Sequence, residues 1–259
     1  MEQAPPAITW TGPATFSVEG VNFVAVDMRP NRPKPSLAPG TLVFLKPAWM
    51  VRRYARLLRG LKPGNIFELG IWQGGSCVFF QRLAAARKLV TIDISEKRVA
   101  AVDAYIERYD LKDCLKPFYG VDQSDAARLR EMVAQEFAEE ALDLVVDDAS
   151  HFLDETRASF NALFPFVRPG GAYVIEDWNW AHARIDKLPD DAPGLYAGRE
   201  PLTKLVFELV LACGSSKGII EKIDIDRNSA TVWRGKAPID PGGFDVARLC
   251  AARGRALIA

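Results

Sequence analysis

Asn65-Ile66-Phe67-Glu68-Leu69-Gly70-Ile71-Trp72-Gln73-Gly74-Gly75-Ser76 joins an apolar run to a glycine-rich turn. An apolar run ends in a carboxylate, a glycine turn follows, and Gly75-Ser76 opens an amphipathic segment. Strand, tight turn and helix N-terminus in that order describe the first crossover of an α/β nucleotide-binding sheet. Glycines allow positive φ and close approach of a ligand, and the first free N–H groups of the helix face whatever is bound. The dinucleotide fingerprint Gly-x-Gly-x-x-Gly is absent, because Trp72 stands where its middle glycine would be. The pattern present is Glu-x-Gly-x-x-x-Gly-Gly-Ser.

An anion at the strand tip repels a pyrophosphate but suits a ligand carrying an ammonium group. Glu68 therefore points to the methionine end of S-adenosylmethionine. A tight turn with no ligand would show the same glycines, so the weight comes from the next apolar run. Lys88 to Ser95 reads as a second strand ending at Asp93, where a ribose diol finds its acceptor.

Bulk composition narrows the function classes. The chain has 259 residues, 49% hydrophobic and 25% charged, which suits one large globular domain with accessory pieces. Lys+Arg and Asp+Glu both number 33, so net charge is zero and neither nucleic acid nor an anionic membrane is implied as partner. Cys77, Cys114, Cys213 and Cys250 are scattered without Cys-x-x-Cys spacing, as expected of thiols in a reducing cytoplasm. The N-terminus lacks the basic and apolar regions of a signal peptide, and Leu205 to Cys213 is too short to span a bilayer.

Taken in order, residues 1–47 read as a β-rich arm with β-prone runs at Ile8–Trp10, Thr15–Val18 and Val21–Val26. A proline-rich linker over 29–35 follows. Such an arm could cap the site, join a homo-oligomer or simply pack. Residues 48–235 alternate helical and strand patterns: helices over Trp49–Leu61, Cys77–Ala86, Glu96–Tyr109 (capped by Ser95), Ala126–Phe137 and Leu153–Val167. Strands are expected from Asn65 to Glu68, over Lys88–Ser95, Leu115–Val121, Leu142–Asp148 and Ala172–Asp177. Residues 178–201 form a long irregular loop, a usual place for a lid or binding loop. Ile219–Ile225 and Ser229–Arg234 read as a hairpin, and residues 236–259 as a tail. The expected class is α/β: a doubly wound, mostly parallel seven-stranded sheet with an antiparallel C-terminal hairpin and an N-terminal β extension.

Two strand tips carry paired acids, Asp147-Asp148 before Ser150-His151, and Glu176-Asp177. Carboxyl ends of neighbouring parallel strands share the crevice where ligands bind. Carboxylates brought together there repel unless protonated or neutralised, and all-oxygen ligation suits magnesium. The plainer alternative is that one acid of each pair caps a helix and the others are solvated. His151 is one of only two histidines; it reads either as a base beside the acids or as a polar residue opening the next helix. His182, in the irregular loop, reads as incidental.

Together, Glu68-x-Gly70-x-x-x-Gly74-Gly75-Ser76, Asp93, Asp147-Asp148-x-Ser150-His151, Pro169-Gly170-Gly171 and Glu176-Asp177 resemble class I S-adenosylmethionine-dependent methyltransferases, which have a Rossmann-like fold. Within that class they resemble the macrolide-sugar O-methyltransferase, cephalosporin hydroxylase-like and rhamnosyl O-methyltransferase group. The resemblance implies magnesium held by Asp148, Glu176 and Asp177, with His151 as base and Asp148 also catalytic. It implies cofactor contacts from Glu68, Gly70, Gly74, Ser76, Asp93, Ile94, Asp122, Gln123 and Asp147. Glu68 would hold the methionine ammonium, Asp93 the ribose hydroxyls and the Asp122-Gln123 turn the adenine edge. The implied activity is methyl transfer to a hydroxyl of a small molecule. A metal-independent methyltransferase, a nicotinamide-dependent oxidoreductase and a non-catalytic cofactor-binding module are the rivals.

Overall fold

A computed structural model describes residues 6–27, 40–182, 198–253 and 255–256. The expected proline linker over 29–35 and most of the 178–201 loop lie outside these residues. The chain divides into two compact units, residues 1–121 and 122–259.

The first unit holds strands β1 (Ile8–Trp10), β2 (Thr15–Val18), β3 (Val21–Ala25) and β4 (Leu42–Phe44), then helix α1 (Ala48–Leu61). It continues through β5 (Asn65–Leu69), α2 (Gly75–Ala84), β6 (Lys88–Asp93), α3 (Ala100–Arg108) and β7 (Leu115–Tyr119). β1 to β4 form a sheet in chain order, antiparallel except for the β3–β4 pair. Its apolar face is aromatic. Phe16 stacks on Phe23 at 5.1 Å, and Phe79 of α2 meets Phe16 and Phe44 at 5.9 and 4.8 Å. The N-terminal strands are thus bound into the core of this unit, because alternation in β2 and β3 aims Phe16 and Phe23 at Phe79 of α2. β5, β6 and β7 pair in parallel in that order, and β5 is buried along its whole length, as a strand covered on both faces must be.

The second unit holds α4 (Ala126–Phe137), β8 (Leu142–Asp147), α5 (Leu153–Leu163), β9 (Val167–Glu176), α6 (Thr203–Ser215), β10 (Ile220–Ile225) and β11 (Ser229–Arg234). β12 (Ala251–Ala252) and β13 (Arg255–Ala256) close it as a two-stranded ribbon. β8 and β9 are parallel, β11 runs antiparallel to β9, and β10 pairs antiparallel with β11. All seven strands of the expected α/β arrangement are present, the C-terminal hairpin included. The last residues pack as well: Val246 and Cys250 are buried, and the Cys250 thiol donates to the Glu208 carbonyl of α6.

The starts of α3 and β9 depart from the sequence reading by several residues. α3 begins at Ala100; Ser95 closes a turn ahead of it, with Oγ accepting from Lys97 N–H at 3.2 Å and N–H donating to Asp93 Oδ1 at 2.8 Å. Val99 N–H donates to the Tyr119 hydroxyl, and Val99 is extended ahead of the helix. β9 begins at Val167 and runs through Pro169-Gly170-Gly171. A register shift against β8 between Leu142 and Leu144 takes up the extra residues, so the predicted helix stop is a bulge inside a strand.

Candidate active site

In the first unit, the turn after β5 is built from three successive requirements. Gly70, Trp72 and Gly74 have positive φ of 100°, 47° and 77°, and the turn closes by Gly74 N–H donating to the Ile71 carbonyl at 2.7 Å. Gly75 has a further reason to be glycine: a Cβ there would lie 1.9 Å from the Val43 carbonyl oxygen of β4. The glycine pair is therefore dictated partly by packing of α2 on the N-terminal sheet, before any ligand is considered. Ser76 follows in the first turn of α2.

Asp93, at the end of β6, braces this turn. Its Oδ2 accepts from Ile71 and Trp72 N–H at 2.9 and 3.0 Å, while Oδ1 accepts from Ser95. Carboxylates that accept several backbone N–H groups are held rigidly, so Asp93 ties the tips of β5 and β6 together. On either side of it, Trp72 and Ile94 expose 49% and 72% of their surface. Large apolar groups left open beside a polar strand tip are what a nucleoside would cover. Glu68 is buried within β5 and accepts from Thr91 Oγ1 at 3.0 Å. Burial, then the charge of Glu68, pushes the Cys77 thiol well up, which makes it an inert structural group.

In the second unit, Asp147 and Asp148 part company at the end of β8. Asp147 is buried and its Oδ2 accepts from Ser159 Oγ at 2.7 Å and the Tyr173 hydroxyl at 2.8 Å. Gln123 is buried beside them. It donates to Asp147 Oδ1 at 3.3 Å and accepts from Ser150 N–H at 2.7 Å. Burial pushes the Asp147 carboxyl up against the opposing pull of its hydroxyl donors, and burial with the Asp147 charge pushes the Tyr173 phenol well up. This buried network fixes the backbone of the Asp148–His151 loop through Ser150. Asp122 accepts from Ser124 N–H and Oγ in the turn that leads into α4.

Asp148 faces the other way. Its Oδ1 lies 3.7 Å from His151 Nε2, with the two side chains 27% and 17% exposed. α5 starts only at Leu153, so His151 stands outside the helix, and its φ of 59° is left-handed. Asp177, φ 49°, ends β9 in the same way. Its N–H donates to the Asn228 carbonyl at 2.6 Å, which ties it to the β10–β11 turn. Non-glycine residues in this conformation are uncommon and cluster where geometry serves a site.

Asp148, His151 and Asp177 bring one ligating atom each to within 4.8 Å of one another. Of the expected acids, Glu176 is not in this group; it is buried at the end of β9, opposite Ser229. Strand alternation explains the difference, since consecutive residues of β9 point to opposite faces until Asp177 turns out of it. Two carboxylates from different elements with an imidazole beside them are a donor set that a hard divalent ion can use, with waters completing its shell.

Sequence reasoning missed the supports. Trp180 Nε1 donates to the His151 carbonyl at 2.8 Å, and Trp178 Nε1 donates to the Asp226 carbonyl at 2.9 Å. Two tryptophans in a polar stretch directly after paired acids were the available signal. His182, read as incidental, has Nε2 2.5 Å from Thr203 Oγ1.

Comparison with known proteins agrees with this outline. Residues 67–178 match a family model described as a methyltransferase domain. Demethylmacrocin O-methyltransferase of Streptomyces fradiae is 32% identical over 158 residues, 56% of this chain and 36% of that protein. Mycinamicin VI 2''-O-methyltransferase of Micromonospora griseorubida is 33% identical over 138 residues, 50% of this chain and 31% of that protein. The chain thus spans about a third of the length of these curated relatives. Among solved structures, the MycE methyltransferase of the mycinamycin biosynthetic pathway, in complex with Mg, SAH and mycinamycin VI, superposes with a TM-score of 0.55 at 26% identity. The superposition covers 74% of this chain and 50% of that one. Residues 67–178 thus resemble a methyltransferase domain by motif and by family model, and the fold resembles that of the MycE methyltransferase.

Proposed function

We propose that the chain is an S-adenosylmethionine-dependent O-methyltransferase acting on a hydroxyl of a small molecule, a sugar, glycoside or other natural product, with help from a divalent cation. The observation that carries the reading is the Asp148–His151–Asp177 group, set after a methyltransferase glycine turn in a single chain. The MycE complex, which contains Mg and SAH, supports the same pairing of cofactor and cation.

S-adenosylmethionine supplies an electrophilic sulfonium methyl, and a hard divalent cation would ease ionisation of a hydroxyl. The chain's residues do the rest. Glu68 offers the negative charge for the methionine ammonium. Gly70, Gly74 and Gly75 leave the backbone of the turn open on either side of the exposed Trp72 and Gln73. Asp93, already bracing that turn, keeps lone pairs for the ribose, with Ile94 against the adenine. In the sequence-derived cofactor set, Asp122 would meet the adenine edge. Gln123 and Asp147 act from behind, by holding the Ser150 backbone. Asp148 and Asp177 would hold the cation. His151 would take the acceptor proton as the methyl arrives, its ring oriented by Asp148.

The second reading is metal-free. It is favoured by the imidazole standing where a third carboxylate was expected, which leaves Asp148 and His151 as an acid–base pair. Turnover of labelled S-adenosylmethionine over a panel of glycosides and phenols, in magnesium and in EDTA, tests both. Methylation lost in EDTA and restored by magnesium supports the first. Methylation indifferent to EDTA supports the second. No methylation of any acceptor, together with no binding of S-adenosylhomocysteine, would contradict both.

We place the activity in the cytoplasm, on the strength of four free thiols among the described residues. No helix among those residues is long and apolar enough to cross a membrane. The reading includes a homo-oligomer joined through the N-terminal residues, whose mass analytical sedimentation would measure.

A further inference from the structure

The net charge of zero conceals a strongly uneven distribution. Between Met28 and Phe67 the sequence contains nine Lys or Arg residues (Arg29, Arg32, Lys34, Lys46, Arg52, Arg53, Arg56, Arg59, Lys62) and no Asp or Glu. Within this stretch, α1 presents Arg52, Arg56 and Arg59 at helical spacing, on one face. These three line a cavity of about 480 Å³ in the first unit, together with Ile8, Trp10 and Leu83. That volume lies in the range of small-molecule sites.

The arginine heads are exposed, and none of the three has a carboxylate partner among the described residues. Two of them are held in place without being neutralised. The Arg52 guanidinium sits 4.5 Å from the centre of the Trp10 ring, and Arg59 Nε donates to the Ala55 carbonyl at 3.1 Å. Both arrangements restrict the side chain while leaving most of its N–H donors available, which lowers the ordering cost of binding an anion. The opposite wall is apolar. Leu83 lies near the C-terminal end of α2, eight residues beyond Gly75, so the cavity is about 12 Å along that helix from the cofactor turn.

We propose that this cavity is a second binding site, for a phosphate monoester carried on an apolar or aromatic body. A phosphate monoester carries about −1.5 to −2 charges at neutral pH and three acceptor oxygens, which matches three forked guanidiniums better than a single carboxylate does. The apolar body would lie on Ile8, Trp10 and Leu83. The site does not depend on the methyl-transfer reading.

Calorimetric titration of the full chain with phenyl phosphate, inorganic phosphate and phosphatidylserine vesicles tests it. The expected result is saturable binding of phenyl phosphate, weaker binding of inorganic phosphate, and loss of phenyl phosphate affinity by tenfold or more in Arg52→Gln and in Arg56→Gln. Thermal melting and S-adenosylhomocysteine binding should not change in either variant. Arg248→Gln, on an exposed side chain of the other unit, should bind as the parent does. The proposal is overturned by absent phenyl phosphate binding, by equal affinity in the two variants and the parent, or by inorganic phosphate binding as tightly as phenyl phosphate. It is also overturned if vesicles bind and phenyl phosphate does not, which would make the arginines a lipid-headgroup surface.

Discussion

Trp180 shows how a single side chain can matter without touching a reactant. Its indole N–H holds the carbonyl of His151, a residue whose φ of 59° is unfavourable without support. Trp180→Phe keeps the ring and deletes the donor. Stability should fall by about 1 kcal/mol, the usual worth of one net hydrogen bond. Turnover should fall about tenfold as the imidazole loses its fixed backbone, with S-adenosylhomocysteine affinity retained. Denaturant melts and steady-state kinetics check the two halves, and parent-like values in both would show that the contact is idle. The same scale shows what the sequence could convey about the site. Asp148, His151 and Asp177 were legible because acids at strand tips followed by histidine form a recognisable run. The inward turn of Asp147 and Gln123 was not, because it is set by Ser159 and Tyr173, residues distant in sequence that supply the buried hydroxyls. Glu176 and Asp177 look equivalent as letters, and only strand alternation separates them.

Glycine serves opposite ends in two neighbouring elements, and substitution should reveal it. In α2, Gly75→Ala would press a methyl within 1.9 Å of the Val43 carbonyl, a backbone atom that cannot easily withdraw. A loss of roughly 3 kcal/mol or more is expected, at the upper end of overpacking costs. In α1, Gly60 is exposed, inside the helix, and has nothing within 4 Å of an added Cβ. Gly60→Ala should therefore stabilise by about 0.5–1 kcal/mol. Urea melts of the two variants should move in opposite directions; a neutral Gly75→Ala would show that α2 can slide off β4. Helix and strand identities were readable because hydrophobic periodicity is local. The start of α3 and the length of β9 were not, since each involves a partner elsewhere: Tyr119 for the one, the shifted pairing with β8 for the other.

The whole molecule carries its protons unevenly, and this predicts its response to alkali. Burial pushes the Tyr105 phenol up to about 12, and moves Tyr173 and the Cys77 thiol well up. A folded-state value above the unfolded one means that the native chain retains protons the unfolded chain has released. The stabilisation is complete below the unfolded values, about 8.5 for thiols and 10 for phenols, and is lost as pH rises through the folded ones. Thermal midpoints should therefore fall steadily above about pH 8.5. Tyr105→Phe should flatten the part of that fall between 10 and 12. Midpoints constant to pH 11 would contradict the burial of these groups. None of this was legible from composition, which gives the number of phenols and thiols but not which of them the fold removes from water.

The proposed function assigns to the His151 imidazole the removal of a proton from an acceptor hydroxyl. The most direct measurement compares the parent with His151→Ala in two assays, methyl transfer from labelled S-adenosylmethionine and calorimetric binding of S-adenosylhomocysteine. Turnover should fall about 100-fold or more, the usual scale for loss of a general base, with cofactor affinity unchanged. Turnover equal to the parent's would contradict it.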